Sequence, residues 1–97
     1  MPLLTRRLTI HGRVQHVGFR WALSAQATAL GLSGWVRNRR DGSVEALIYG
    51  HPEAVESITE WAWHGPPGAR VERVLCRNEP DIDESEAPPG FALRPTF

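Results

Sequence analysis

Apolar and polar residues first alternate along the chain and then recur with a helical spacing. Between residues 4 and 12, Leu8 and Ile10 alternate with polar residues, which is typical of a half-buried strand. From 19 to 30, apolar residues recur at intervals of three and four, and Gly31 provides a C-terminal stop. The first third of the chain is therefore predicted to be a strand followed by an amphipathic helix.

Two β-type runs, residues 32–40 and 43–50, flank the dipeptide Asp41-Gly42. This is a strong hairpin signal, because glycine tolerates the positive φ that such turns require. Three arginines are interpreted as a solvated face of the hairpin that adds to the field attracting an anion: Arg37, Arg39 and Arg40.

A second helix is predicted to begin at Pro52, with Glu53 and Glu56 near its positive end. The sequence Gly-Pro-Pro-Gly at 65–68 would end it. Its predicted apolar stripe consists of Ala54, Ile58, Trp61 and Ala62.

The last third of the chain contains a further alternating run at 70–77, predicted to be a strand. The acidic, proline-bearing segment from Glu79 to Gly90 is predicted to be an exposed loop, and the tail at 91–97 a short closing strand. The order βαββαβ plus a terminal strand predicts a ferredoxin-like α+β sandwich, an antiparallel sheet with two helices on one face. All of residues 1–97 are expected to form a single domain.

The number of cysteines and the lengths of the apolar runs indicate in which cellular compartment the protein is expected. The single cysteine, Cys76, excludes an intramolecular disulfide, and its place in an alternating run predicts a buried or half-buried side chain rather than a nucleophile. The N-terminus lacks the apolar stretch of a signal peptide, and no run approaches the length of a membrane span. We therefore expect a cytoplasmic protein with no membrane partner.

The charge is zero overall but unevenly distributed. Residues 1–50 carry seven arginines and two acids, a balance of +5, whereas residues 51–97 carry four arginines and nine acids, a balance of −5. The basic half favours an anionic ligand, while the zero total argues against a general nucleic-acid binder.

The segment GRVQHVGFR at 12–20 joins the first strand to the first helix. A strand-to-helix loop aims several backbone N–H groups at one point, where the helix dipole adds partial positive charge. Arg20 lies at the helix start, where its planar guanidinium could hold two phosphate oxygens. The loop is therefore predicted to bind a phosphate group.

Two segments, GRVQHVGFR at 12–20 and GWVRNRRDGSVE at 34–45, resemble the signature segments of the acylphosphatase family, G-x-V-Q-G-V-x-F-R and G-W-V-x-N-x-x-D-G-x-V-E. The segment GPPGARV at 65–71 and the position of Arg94 are also similar to that family. The resemblance spans nearly the whole chain, with one clear departure at His16, where the family usually has glycine.

The resemblance implies hydrolysis of the carboxyl–phosphate bond of small acyl phosphates such as acetyl, carbamoyl or glyceroyl phosphate, without a metal or cofactor. It implies that Arg20 holds the phosphoryl group and that Asn38 positions the attacking water. Such chemistry needs mainly positioning and charge stabilisation, and a carboxylate leaves without protonation. Inorganic phosphate or sulfate would bind as product-like ligands. The implied phosphate-binding loop consists of Gln15, His16, Val17, Gly18 and Phe19.

His16 leaves three interpretations open. If its position requires a positive φ, replacing glycine costs about 1 kcal/mol, although histidine tolerates such angles better than most residues. It could be a tolerated exposed substitution, an imidazole that adds positive charge beside the phosphate in acid, or damage to the phosphate-binding loop. His11 and His16 alone make a weak metal site.

The four tryptophans, Trp21, Trp35, Trp61 and Trp63, are interpreted as packing residues rather than functional ones. Trp61 fits the stripe of the second helix, whereas Trp63 falls off it and is expected to be partly exposed. Strand parity places Trp35 on the sheet face away from the helices.

Two other functions are considered. One is an anion-binding module without useful turnover, which His16 makes conceivable. The other is an RNA-binding domain with the same element order, which would stack bases on aromatic residues of two central strands. The first strand offers Thr9, Ile10 and His11 there, and residues 71–77 include no aromatic residue. No nucleic-acid partner is therefore expected, and a domain this small is expected to be a monomer.

Overall fold

The structure, a computed structural model, describes residues 3–79 and 90–97. Its helices are α1 (Phe19–Ala29) and α2 (Pro52–Ala62), and neither is long and apolar enough to cross a membrane. The predicted strand at 4–12 and helix at 19–30 agree with the structure to within one residue. The predicted loop from Glu79 to Gly90 lies, apart from its two ends, outside the described residues. The strands are β1 (Leu4–Arg13), β2 (Ser33–Asn38), β3 (Val44–Gly50), β4 (Arg70–Asn78) and β5 (Phe91–Leu93).

These strands form one sheet in the order β4-β1-β3-β2-β5. The first four pair antiparallel, whereas β5 runs parallel to β2, with Gly34 opposite Phe91. Helix α1 packs on β2 and β5, and α2 packs on β1 and β3, around one shared core. The predicted ferredoxin-like sandwich is therefore confirmed, with β5 extending the sheet.

The core lies between the sheet and the two helices. Leu8 and Ile10 of β1, which the alternation predicted to face inward, are fully buried. Phe19 of α1 is also buried, and its ring meets Trp61 of α2 edge-to-face with the centroids 5.4 Å apart. Each large apolar side chain buried in this way contributes about 1.5–3 kcal/mol, so the core holds the start of α1 firmly in place.

Helix α2 turns a slightly different face to the sheet than its sequence predicts. Ile58 is buried as expected, but Val55 is fully buried and Ala54 only partly. Thr59 is buried too, and its hydroxyl donates a hydrogen bond to the carbonyl oxygen of Val55 at 2.7 Å. Because this bond satisfies the hydroxyl within the helix, a polar residue can lie in the packed face, where apolar periodicity does not reveal it.

The outer strand β4 is mostly exposed, and Val74 is the one buried residue among its nine. Cys76 lies opposite Leu8 of β1 but is exposed, so the prediction of a buried or half-buried cysteine was wrong. Alternation shows which face of a sheet a residue occupies, but not whether a helix covers that part of an edge strand. Desolvation raises the pKa of the Cys76 thiol, which disfavours the reactive thiolate and agrees with the interpretation that it is not a nucleophile.

Candidate active site

The chain leaves the sheet through a bulge at the end of β1. The register between β1 and β4 shifts between His11 and Gly12, and Gly12 has φ 127°. A Cβ atom at Gly12 would collide with the carbonyl oxygen of Arg70 on the neighbouring strand. Glycine is therefore required here, and the bulge directs residues 14–18 out of the sheet toward α1.

The loop at 14–18 presents successive backbone N–H groups at the positive end of α1. Gly18 is the N-cap with φ 79°, and no side chain caps the helix. No oxygen of residues 3–79 or 90–97 accepts a hydrogen bond from the N–H groups of residues 15–20. Unpaired donors at a helix N-terminus form a favourable environment for an anion.

His16 adopts the left-handed backbone conformation that glycine usually occupies. Its φ is 62°, and its side chain is exposed. The loop therefore forms in this chain with histidine in place of the family's glycine.

Arg20 lies half-buried in the first turn of α1. Its Nη1 donates to the carbonyl oxygen of Arg94 at 3.4 Å. This contact ties the guanidinium to residues 94–97, called here the C-terminal segment. The other guanidinium N–H groups have no acceptor among the described residues, so they are available to a ligand beside the loop.

Asn38 is the last residue of β2 and is half-buried. It shares strand parity with buried Val36, so it lies on the helix side of the sheet. The C-terminal segment runs beside it, because Arg94 N–H donates to the Val36 carbonyl at 2.9 Å and Phe97 N–H to the Asn38 carbonyl at 3.0 Å. One segment therefore contacts both Arg20 and the strand end that carries Asn38.

The side chain of Gln15 connects the loop to the hairpin between β2 and β3. Its Nε2 donates to the carbonyl oxygens of Arg39 at 2.7 Å and Ser43 at 2.9 Å. The hairpin is closed by Arg39 N–H donating to the Ser43 carbonyl at 2.8 Å, and Gly42 has the predicted positive φ, 94°. The motif identified Gln15 only through its backbone amide, so this side-chain contact was not foreseen.

A buried carboxylate on the opposite side of the sheet was also missed. Glu45 of β3 lies on the face away from the helices, called here the open face, and accepts hydrogen bonds from Arg7 at 2.9 Å and Arg37 at 2.7 Å. Arg39 approaches the same carboxylate at 3.8 Å. Arg7 also donates to Glu79 and is the main cause that holds the pKa of the Glu79 carboxyl below its usual value. Cross-strand register brings these residues together, and sequence spacing does not show it.

Arg37 is packed rather than solvated, so the prediction of a solvated hairpin face was wrong for this residue. Its guanidinium carbon lies 4.6 Å from the ring centre of Trp35 and 4.1 Å from that of Phe97. Arg94 also covers Trp35, at 4.9 Å. Trp35 lies on the open face as predicted, and Arg40 is exposed as expected. Stacking of this kind joins the C-terminal segment to β2.

The remaining tryptophans differ in exposure. Trp63 is 48% exposed, as predicted, and Trp61 is half-buried on the α2 stripe. Trp21 is 73% exposed, so its interpretation as a packing residue was wrong. The sequence signal for this exposure is that Trp21 lies off the apolar spacing that forms the buried face of α1.

Neither a metal-binding cluster nor the groove of the open face includes the loop, within the part of the chain that the structure describes. Within the described ranges, no group of three His, Cys, Asp or Glu side chains is placed to bind a metal ion. A groove of about 450 Å³ lies on the open face, where its lining includes Arg7, Arg39 and Glu45. The loop lies outside this groove. Backbone N–H groups of a loop can bind an anion at a protein surface without a deep pocket.

Comparisons with known proteins agree with this geometry. Residues 6–92 match the family model described as Acylphosphatase. A protein of Thermococcus kodakarensis named acylphosphatase is 52% identical over 93 residues, which cover 96% of this chain and 98% of that protein. The crystal structure of acylphosphatase from Bacillus subtilis superposes with a TM-score of 0.88 at 33% identity, covering 94% of this chain and 98% of that one. The structure of an acylphosphatase from Coxiella burnetii gives a TM-score of 0.85 at 35% identity, with coverages of 95% and 93%. The chain belongs to the acylphosphatase family.

Proposed function

We propose that this protein hydrolyses small acyl phosphates to a carboxylate and inorganic phosphate. The observation that carries the proposal is the run of N–H groups at residues 15–20, which have no acceptor within residues 3–79 and 90–97 and end at the guanidinium of Arg20. Together they present directed donors and a full positive charge to one anion. Donors of this kind stabilise the charge of a phosphoryl group in transit.

The proposed reaction is an attack of water on phosphorus. The water oxygen forms the new P–O bond, and the bond to the acyl oxygen breaks, so that its electron pair leaves with the carboxylate. A phosphoryl oxygen takes the proton of the water. The leaving carboxylate belongs to an acid of pKa about 4, so it needs no general acid.

Asn38 is proposed to hold the attacking water. Its side-chain amide makes no hydrogen bond within residues 3–79 and 90–97, so its donor and its acceptor are both available. Its backbone is fixed on one side by Phe97 and on the other by pairing with Val44. A rigid backbone with an unpaired amide suits a positioning task.

The first test is phosphate release from benzoyl or acetyl phosphate in the presence of excess chelator. The wild-type protein is expected to turn over under these conditions, because Arg20 and the loop supply the positive charge. Asn38→Ala is expected to lower kcat about 100-fold, as loss of one transition-state hydrogen-bonding group does elsewhere. Asn78→Ala, which changes an exposed asparagine of β4, should stay close to wild type.

Two outcomes would contradict the proposal. Binding of phosphate without turnover by the wild type would favour the anion-binding module. Salt-sensitive binding of single-stranded RNA that phosphate does not compete with would favour the RNA-binding domain. The structure gives little support to the RNA-binding alternative, because β1 carries no Phe, Tyr or Trp and β3 carries only Tyr49.

Inorganic phosphate and sulfate are proposed to bind the same loop as product-like ligands. The protein is proposed to act as a monomer, because the loop, Arg20 and Asn38 all come from one chain. A cytoplasmic location is proposed because a chain with one cysteine gains nothing from an oxidising compartment.

His16 is proposed to be a tolerated substitution without a catalytic role, because its exposed side chain leaves the loop intact. His16→Gly is expected to keep kcat within about 3-fold of wild type and to raise the free energy of unfolding by up to about 1 kcal/mol by relieving the left-handed strain. Urea unfolding and steady-state kinetics measure both. Gly31→Ala makes the reverse change at φ 72°, where a Cβ meets nothing, and should cost a similar amount. A 10-fold fall in kcat for His16→Gly would instead show that the imidazole participates.

A further inference from the structure

We propose that Gln15 is a positioning residue whose side chain sets the spacing between the phosphate-binding loop and the strand end that carries Asn38. The inference rests on the proposed function, because it treats the loop and Asn38 as the two halves of one reaction site. Neither the backbone amide of Gln15 nor its place in the motif implies this role.

Both hydrogens of the Gln15 side-chain amide are used in the contact. They go to the carbonyl oxygens of Arg39 and Ser43, at 2.7 and 2.9 Å, across 24 and 28 residues of chain. These two residues close the hairpin through their own backbone hydrogen bond. The acceptors are therefore part of a rigid turn and cannot rotate away as side chains would.

The contact lies next to both functional groups. Gln15 immediately precedes the exposed part of the loop, and Arg39 immediately follows Asn38. The other connection, from Arg20 to the carbonyl of Arg94, is longer, at 3.4 Å. The Gln15 amide is therefore the shorter and better-defined link between the group that holds phosphorus and the group that holds water.

Spacing matters because water must attack phosphorus from a short, fixed distance. A displacement of about 1 Å between reacting groups can cost about 100-fold in rate. Loss of the link should therefore lower kcat, whereas the loop amides and Arg20 should still bind a phosphoryl group. A residue that merely held the loop together would weaken phosphate binding as well.

Gln15→Met tests this distinction, because methionine keeps the length of the side chain and removes both donors. We expect kcat to fall about 10- to 100-fold, while the inhibition constant of inorganic phosphate changes less than about 3-fold. Gln26→Met, which changes an exposed glutamine of α1, is the matched control and should leave both values unchanged. A parallel loss in kcat and in phosphate affinity, or no loss at all, would overturn the proposal.

A double-mutant cycle shows whether Gln15 acts through Asn38. In the Asn38→Ala background, adding Gln15→Met should lower kcat by less than about 3-fold, since the water-holding group is already absent. Fully multiplicative losses would show independent effects and would overturn the proposal. Turnover by wild type and its loss in Asn38→Ala are measured first, so a failure of the proposed function would be seen separately.

If Gln15→Met does not fold, Gln15→Glu is a second variant that tests the positioning role through the pH dependence of kcat. The carboxylate form has no donor and faces two carbonyl oxygens, whereas protonation restores one donor. The kcat of the variant relative to wild type should therefore rise as the pH falls below about 5. A ratio that does not change with pH would contradict the positioning role.

Discussion

Arg20→Ala is expected to lower kcat/KM for an acyl phosphate by about 10³-fold or more, the scale of an arginine that stabilises a transferring phosphoryl group. The physical reason is that Arg20 supplies the one full positive charge in the first turn of α1, beside N–H groups that carry only partial charges. Steady-state release of phosphate measures the effect. The fold should survive, because the side chain is half-buried and makes one long hydrogen bond.

Two further variants make this prediction specific. Arg20→Lys keeps the charge but not the planar pair of donors, so an intermediate loss is expected. Arg73→Ala removes one positive charge from exposed β4 and should have little effect, which controls for the general field of the protein. Turnover that survives Arg20→Ala would disprove the assignment of Arg20.

Glu45→Ala is expected to lower the free energy of unfolding by about 3 kcal/mol. The carboxylate side chain is only 6% exposed and neutralises Arg7 and Arg37, which stack around Trp35. Removing one partner of a buried ion pair leaves charge in a poorly solvated place and costs about 3–5 kcal/mol. The lower end applies here, because both arginines are partly exposed and can recover some hydration. Urea unfolding measures the change.

The matched control for Glu45 is Glu60→Ala, which removes an exposed carboxylate of α2 and should change stability by less than about 0.5 kcal/mol. Glu45→Gln keeps the shape and should fall between the two. A loss below about 1 kcal/mol for Glu45→Ala would mean that the arginines are solvated well enough to need no partner.

Local patterns of the sequence were sufficient wherever an element was organised by nearby residues. The spacing of α1, the hairpin at Asp41-Gly42 and the alternation of β1 are each confirmed. The helix start at Pro52 is confirmed as well. Such signals succeed because the period of apolar residues and the turn residues act within a few positions of one another.

Patterns failed where exposure depended on distant parts of the chain. Cys76 has the alternation of a packed residue but lies on an edge strand and is exposed there. Arg37 lies in an arginine-rich segment beside a turn, which is typical of a solvated surface, but its guanidinium is stacked between Trp35 and Phe97. The predicted apolar stripe of α2 leaves out Val55, which is buried, because the polar residue Thr59 shares its buried face and interrupts the apolar spacing there.

By itself, the sequence determined the order of the elements, the fold class, the family resemblance and the loop that ends at Arg20. Only the tertiary structure decided how the loop is joined to the rest of the proposed site. Gln15 meets the hairpin across 24 residues, and Arg20 meets the C-terminal segment across 74. The buried environment of Glu45 likewise depends on strands far apart in the chain. Local sequence encodes backbone conformation through short-range sterics and periodicity, whereas these contacts exist only after sheet pairing brings distant residues into register.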